Sequence, residues 1–181
     1  RLTDHMIRPM FPKKYRYEVQ VFITILSYDG ENDADVLGMV GASASLVLSD
    51  MPFDGPIAAV RVGRVDGDLV INPTNSQLEE SDMDLIISGD RDSIGSVEGH
   101  AEEISEAALL EALEFAHENI QGILELQDEL QKKAGKEKQE YIAPVIDPEL
   151  AKAVEEFAGK RVSEANHTDD RSDRAQKLDD V

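Results

Sequence analysis

The sequence contains no cysteine, which excludes disulfides, thiolate metal ligands and a cysteine nucleophile together. No apolar run approaches the roughly 18 residues needed to span a bilayer. The longest, Val19 to Leu26 and Leu46 to Leu48 with their neighbours, are broken by polar residues. A glycine-rich phosphate loop is also missing. Gly38-Met39-Val40-Gly41 lacks the Lys-Ser/Thr pair that grips phosphate and metal. The histidines, His5, His100, His117 and His167, show no zinc spacing, and no nucleophile-elbow pattern marks a serine. Basic residues are scarce: 18 Lys and Arg stand against 38 Asp and Glu, a net charge of −20. Nucleic-acid binders draw much of their affinity from neutralised phosphates, so this balance argues against such a partner. Two escapes remain open. An outward acidic shell repels little at high salt, where the Debye length falls to about 3 Å, or other parts of a longer protein do the binding.

What is present supports a core: 41% of the 181 residues are hydrophobic, enough for one domain or a domain with an appendage. Arg1 to Ile7 reads as the interior and end of a helix, so the sequence is expected to be a piece of a longer protein. Pro9 and Pro12 stop that helix. Val19 to Leu26 is rich in β-branched residues and predicts a mostly buried strand. Asp29-Gly30 and Asn32-Asp33 form a turn, with Asn32 or Asp33 as N-cap of a helix over Asp35 to Leu48. Gly38, Gly41, Ala42, Ser43, Ala44 and Ser45 give that helix a face almost free of side chain, which predicts close packing on a sheet or helix. Strands follow at Ile57 to Val62 and Asp68 to Ile71 around an Asp66-Gly67 hairpin turn. A short helix over Ser76 to Glu80 and strands at Met83 to Ser88 and Ile94 to Glu98 come next. Ser105 to Lys133 carries apolar residues three and four apart, a long amphipathic helix. Pro148 opens another, to Phe157 or somewhat beyond, and the polar stretch from His167 reads as a helix in need of a partner or a frayed end. This order gives an α+β domain with a helical appendage.

Candidate chemistry is thin. Asp82, Asp84, Asp90 and Asp92 could offer carboxylates to Mg²⁺, although a chain this acidic produces such clusters by chance. His117 belongs to the surface or boundary of the long helix. Arg1 and Arg8, with Lys13, Lys14 and Arg16 beyond, form the densest basic cluster. It is either a solvated surface or a phosphate-backbone contact, without the aromatic interleaving of a base-stacking platform.

The stretch Arg1-Leu2-Thr3-Asp4 through Ile7-Arg8-Pro9-Met10-Phe11-Pro12 resembles the "RLxDxxIRPLFP" segment of the first ribonuclease PH-like domain of bacterial polynucleotide phosphorylases. Glu18-Val19-Gln20-Val21, Gly41-Ala42-Ser43-Ala44, Pro52-Phe53-Asp54-Gly55-Pro56-Ile57, Val62-Gly63, Asn72-Pro73-Thr74, Asp84-Leu85 and Phe115-Ala116-His117-Glu118 follow in the family's order. The resemblance implies a partial ribonuclease PH-like fold (ribosomal protein S5 domain 2-like, α+β) over residues 1–134. A linker over 135–146 and the start of an all-helical domain over 147–181 would follow.

The family shortens RNA phosphorolytically from its 3′ end, releasing nucleoside diphosphates, and also runs in reverse as a nucleotidyltransferase. By the same resemblance its members are cytoplasmic homotrimers of RNA degradation, outside the membrane. Two PH-like domains per subunit enclose a channel for single-stranded RNA. Mg²⁺ and inorganic phosphate belong to the second domain, where two Asp and a Lys form the active site. Aligned on Asp84 and Gly89, those positions here hold Leu78, Asp84 and Ile86. Leucine and isoleucine neither ligate metal nor neutralise a phosphoryl transition state, so no catalytic and no metal-binding residue is expected in this chain. Arg1 and Arg8 are the expected RNA contacts, though His5 stands where the family often has a further Arg. The competing expectation, favoured by the charge, is a protein–protein assembly module without RNA contact.

Overall fold

A four-stranded antiparallel sheet, ordered β2-β1-β3-β4, organises the first part of the chain. Its strands are β1 (Ala58–Val65), β2 (Asp68–Ile71), β3 (Met83–Gly89) and β4 (Ile94–Ala101). The computed structural model describes residues 1–181, as one unit over residues 1–142 and another over 143–181. Asp66 and Gly67, with φ of 53° and 89°, make the tight turn whose twist matches a hairpin and needs positive φ twice. On β4, Gly99 has no substitute. A Cβ there would lie 1.9 Å from the Asp84 carbonyl oxygen, so β3 and β4 approach this closely only over glycine.

Side chains alternate across the sheet with period two. Val60 and Val62 of β1 and Met83, Leu85 and Ile87 of β3 face α4 (Glu106–Ala134), which answers with Ala112, Ala116, Ile120 and Leu124. That four-residue spacing keeps one stripe on the sheet, and the two alanines let the helix backbone come close. Ser105 accepts a hydrogen bond from the Ala108 amide and so caps α4. Gln127 continues the stripe, buried, and its Nε2 donates to the Ile57 carbonyl at 3.1 Å.

The opposite face, with Ala59 and Ile86, is covered by α1 (Leu2–Ile7) and α2 (Asp35–Leu48) through Met6, Met39, Leu46 and Val47. A short α3 (Asn75–Leu78) is closed by a capping box between Thr74 and Gln77.

Three expectations change here. The N-cap of α2 is Ala34, with no side-chain cap; the carboxylates of Asp33 and Asp35 turn instead to Arg61. The small-residue face of α2 packs only in part. Ala42 and Ser43 are buried and Gly38 lies beneath Ile23, but a side chain at Gly41 would meet only open space and Ser45 is exposed. Val19 to Leu26 forms no strand: the segment belongs to no ladder, and Phe22 and Leu26 are 85% and 93% exposed. β-branched residues keep a backbone extended, but a strand also needs a neighbour's N–H and C=O groups, and neither sheet edge pairs with this segment.

After α4 the chain turns back over the C-terminal end of α2. The Lys136 amide donates to Leu48 O at 3.0 Å and the Gln139 amide to Asp50 O at 2.7 Å. Lys138 Nζ donates to the carbonyls of Leu46, Val47 and Ser49 at 2.8, 3.0 and 2.8 Å, satisfying acceptors that a helix end leaves open.

In the second unit, Asp147 caps α5 (Pro148–Val154) with Pro148 at its first turn. The helical path continues through a wider π-type turn (Glu155–Gly159) into α6 (Lys160–Asn166), further than Phe157. Asp170 caps α7 (Arg171–Asp179). No helix of the chain is long and apolar enough to cross a membrane.

Candidate functional site

Two places carry charge in a built arrangement, and they differ in kind. The first is the basic segment around α1. Arg1 and Arg8, seven residues apart in sequence, are separated by about 10 Å of helical rise, and both are exposed. Arg8 grips Asp4 one turn back, its NH2 donating to Asp4 Oδ1 at 2.6 Å and its Nε to Oδ2 at 3.2 Å. That hydrogen-bonded guanidinium holds the Asp4 carboxyl below its usual range. The pair is open to water, so a phosphate oxygen can take Asp4's place at modest cost.

Beyond the Pro9–Pro12 stop, Lys13, Lys14 and Arg16 are exposed on a turn closed by the Tyr15 amide donating to Pro12 O at 3.0 Å. A cleft of about 930 Å³ runs beside it, lined among others by Arg1, Arg8, Lys13, Lys14, Tyr15 and Tyr17. The structure brings rings to this place that sequence reading left out. Tyr15 stacks on Phe11 at 5.4 Å between centroids and meets Tyr17 and Tyr141 edge-on at 5.6 and 5.0 Å. Tyr15 and Tyr17 flank Arg16 in the sequence, a visible signal; Tyr141 arrives from the far end of the first unit, which no local pattern reveals.

The second place is the α2 face of the sheet, where Asp84 and Ile86 sit. Ile86 is buried in the apolar cluster with Ala59 and Met39, and Leu78 is half-buried at the end of α3. Asp84 faces Arg61, a buried arginine that neighbours it across the β1–β3 ladder. Arg61 donates to Asp33 at 2.7 Å and to Asp35 at 2.5 Å, while its Nε stands 3.5 Å from Asp84 Oδ1. Asp84 Oδ1 and Arg61 Nε are buried and unpaired by any hydrogen bond. One guanidinium thus gathers carboxylates from three points of the chain into one ion-pair network, which its single positive charge leaves net negative.

The other carboxylates do not converge. Asp82 makes a two-pronged pair with Arg64, whose hydrogen bond holds its carboxyl below the usual range. Asp90 accepts from the amides of Asp92 and Ser93 and from the Ser93 hydroxyl, serving its own turn. A Mg²⁺ ion at Asp82 would have to displace the Arg64 guanidinium, and one at Asp84 would stand against the positive charge of Arg61, so neither carboxylate is set up to hold one. No three His, Asp or Glu side chains stand close enough to hold a metal together. The histidines stay apart: His5 contacts Glu98 at 2.7 Å, His117 the Asp90 carbonyl at 3.1 Å and His167 the Ser163 carbonyl at 2.7 Å.

Comparison with known proteins shows the family. Residues 1–52 match the 3′ exoribonuclease family, domain 1, and residues 55–119 match the 3′ exoribonuclease family, domain 2. A polyribonucleotide nucleotidyltransferase of Syntrophotalea carbinolica is 54% identical over 96% of this chain and 25% of its own length. One of Thermomicrobium roseum is 51% identical over 97% of the chain and 22% of its own length. One of Desulfatibacillum aliphaticivorans is 48% identical over the whole chain and 25% of its own length. The chain therefore spans about a quarter of the length of these relatives. With two consecutive domains of one family matched in order across residues 1–119, on an α+β fold whose sheet lies between α1–α2 and α4, the chain belongs to the 3′ exoribonuclease family.

Proposed function

We propose that this chain is the non-catalytic, RNA-guiding half of a phosphate-dependent 3′-to-5′ exoribonuclease of the polyribonucleotide nucleotidyltransferase type. The observation that carries the reading is the state of the Leu78, Asp84 and Ile86 positions. Phosphorolysis places a phosphate nucleophile against a phosphodiester, and charge builds on the phosphoryl oxygens as the terminal nucleoside diphosphate leaves. That charge must be met by a metal, a lysine or an arginine free to face the substrate. Here one position is a buried isoleucine, one a leucine, and the remaining carboxylate faces an arginine that already serves Asp33 and Asp35. Chemistry, with Mg²⁺ and inorganic phosphate, then falls to a second PH-like domain of the same protein, in a cytoplasmic homotrimer engaged in RNA degradation. This chain contributes scaffold surface and the Arg1–Arg8 segment along the RNA path.

The test is made in the intact protein that carries this chain. Arg8→Asp weakens binding of single-stranded oligoadenylate and lowers the salt slope of log K by about one, the share of one phosphate contact. Asp84→Asn leaves phosphorolysis unchanged. Equal affinity and equal slope for Arg8→Asp would remove the RNA contact. The net charge of −20 favours a second reading, an assembly module that touches only protein. In that case both Arg1→Asp and Arg8→Asp leave RNA binding untouched.

A further inference from the structure

The chain between α4 and the second unit does more than connect. From Gly135 onward it makes a strap held at several points on the first unit: Lys136 on Leu48, Lys138 on three carbonyls at the end of α2, and Gln139 on Asp50 by both its amide and its side chain. The strap ends at Tyr141, whose hydroxyl donates to the carbonyl oxygen of Lys14 and whose ring meets Tyr15 edge-on at 5.0 Å. Lys14 is a left-handed residue, with φ of 71°, a conformation that L side chains resist. Such a residue persists where its surroundings over-determine it. Here the surroundings are the Tyr15 amide on Pro12 O, the Phe11–Tyr15 stack, and Tyr141 from the other end of the unit.

Resting on the RNA-guiding reading above, we infer that Tyr141 is a positioning residue for RNA binding: anchored by Lys138, it fixes the turn Pro12–Tyr15 so that Lys13, Lys14 and Arg16 present their charges to the RNA backbone in one arrangement. Long cationic side chains on a loose turn lose conformational entropy whenever they bind phosphate. A turn ordered beforehand has less to lose.

The experiment uses the intact protein that carries this chain, with single-stranded oligoadenylate as probe and amide hydrogen exchange as the structural readout. Tyr141→Phe removes one hydroxyl from a half-buried ring. Exchange at residues 13–17 should rise, and oligoadenylate affinity should fall roughly 3- to 10-fold, the worth of one lost hydrogen bond. Lys138→Met should produce the same pair of changes from the other end of the strap. A double-mutant cycle separates positioning from general weakening. In a background where Lys13, Lys14 and Arg16 are all changed to Gln, the turn has no charge left to present, so Tyr141→Phe should there change affinity less than twofold, roughly the usual error of additivity. Faster exchange at 13–17 with unchanged affinity, while Arg8→Asp still weakens binding, overturns the positioning role and leaves the RNA contact standing. An equal loss of affinity from Tyr141→Phe with and without those three cations also overturns it. If Arg8→Asp and Lys13→Glu both leave affinity and salt slope intact, the RNA-guiding reading itself fails, and the strap's role in binding with it.

Discussion

Arg61 is the residue on which the α2 face of the sheet depends. It is 8% exposed and its partners come from Asp33, Asp35 and Asp84. Removing a buried partner from such a cluster leaves uncompensated charge, so Arg61→Ala should cost about 3–5 kcal/mol, read as a lower urea midpoint at constant slope. Asp84→Asn should cost less than about 1 kcal/mol, because Arg61 keeps two carboxylates and no hydrogen bond is lost. A large loss on Asp84→Asn with a small one on Arg61→Ala would reverse this picture. None of it was legible in the sequence. Arg61 stands 28 and 26 residues from Asp33 and Asp35, a separation closed only by folding. The sequence placed those aspartates beside a helix start, where capping is their commonest use; a buried guanidinium outcompeted it.

At the scale of elements, what could be read depended on whether local pattern and tertiary partner agreed. The bounds of helix α2 were legible to the residue although its expected cap was not, and those of α4 nearly so, because there an apolar stripe and a capping Ser105 point the same way. Val19 to Leu26 has the composition of a strand without a neighbour to pair with, which composition cannot supply. Two tests belong here. Ala116 has no exposed surface and lies where α4 crosses the sheet, so Ala116→Leu should destabilise by about 1–3 kcal/mol through overpacking, seen as a lower Tm. A neutral result would mean the helix stands off the sheet. The second concerns the turn before α2, where Asp29 accepts from the amides of Glu31 and Asn32 and from the Asn32 side chain. Those bonds, led by the Asn32 amide, lower its carboxyl pKa from 3.8 to about 2. A carboxylate with a folded pKa below its unfolded one stabilises the fold in full above the unfolded value and loses that contribution as pH falls through the folded value. The Asp29 carboxyl resonance in NMR should therefore titrate near pH 2, and the Glu31 and Asn32 amides should lose their hydrogen-bonded shifts over the same window. Titration near 3.8 would show that the turn is open in solution.

At the scale of the whole molecule, a net charge of −20 and an RNA-processing family stand side by side. They are reconciled if cations are concentrated where RNA passes and acids lie elsewhere. The segment from Arg1 to Tyr17 carries Arg1, Arg8, Lys13, Lys14 and Arg16 against a single Asp4, a local excess of positive charge inside an acidic chain. Long-range repulsion is screened as the Debye length shortens with salt, while contacts at hydrogen-bond distance are screened far less. The family was legible from motifs in fixed order, because those motifs mark turns, helix ends and strand starts that the fold needs. The expectation that the Asp84 position is inactive needed Leu78 and Ile86 to be read beside it. The most direct measurement is release of nucleoside diphosphate from polyadenylate by this chain, with Mg²⁺ and phosphate, at low and at high salt. The expected result is no release under either condition, as befits a half whose one remaining carboxylate at that site faces Arg61. Clear release, abolished by Asp84→Ala, would contradict a non-catalytic role and place a working site where Asp84 faces Arg61.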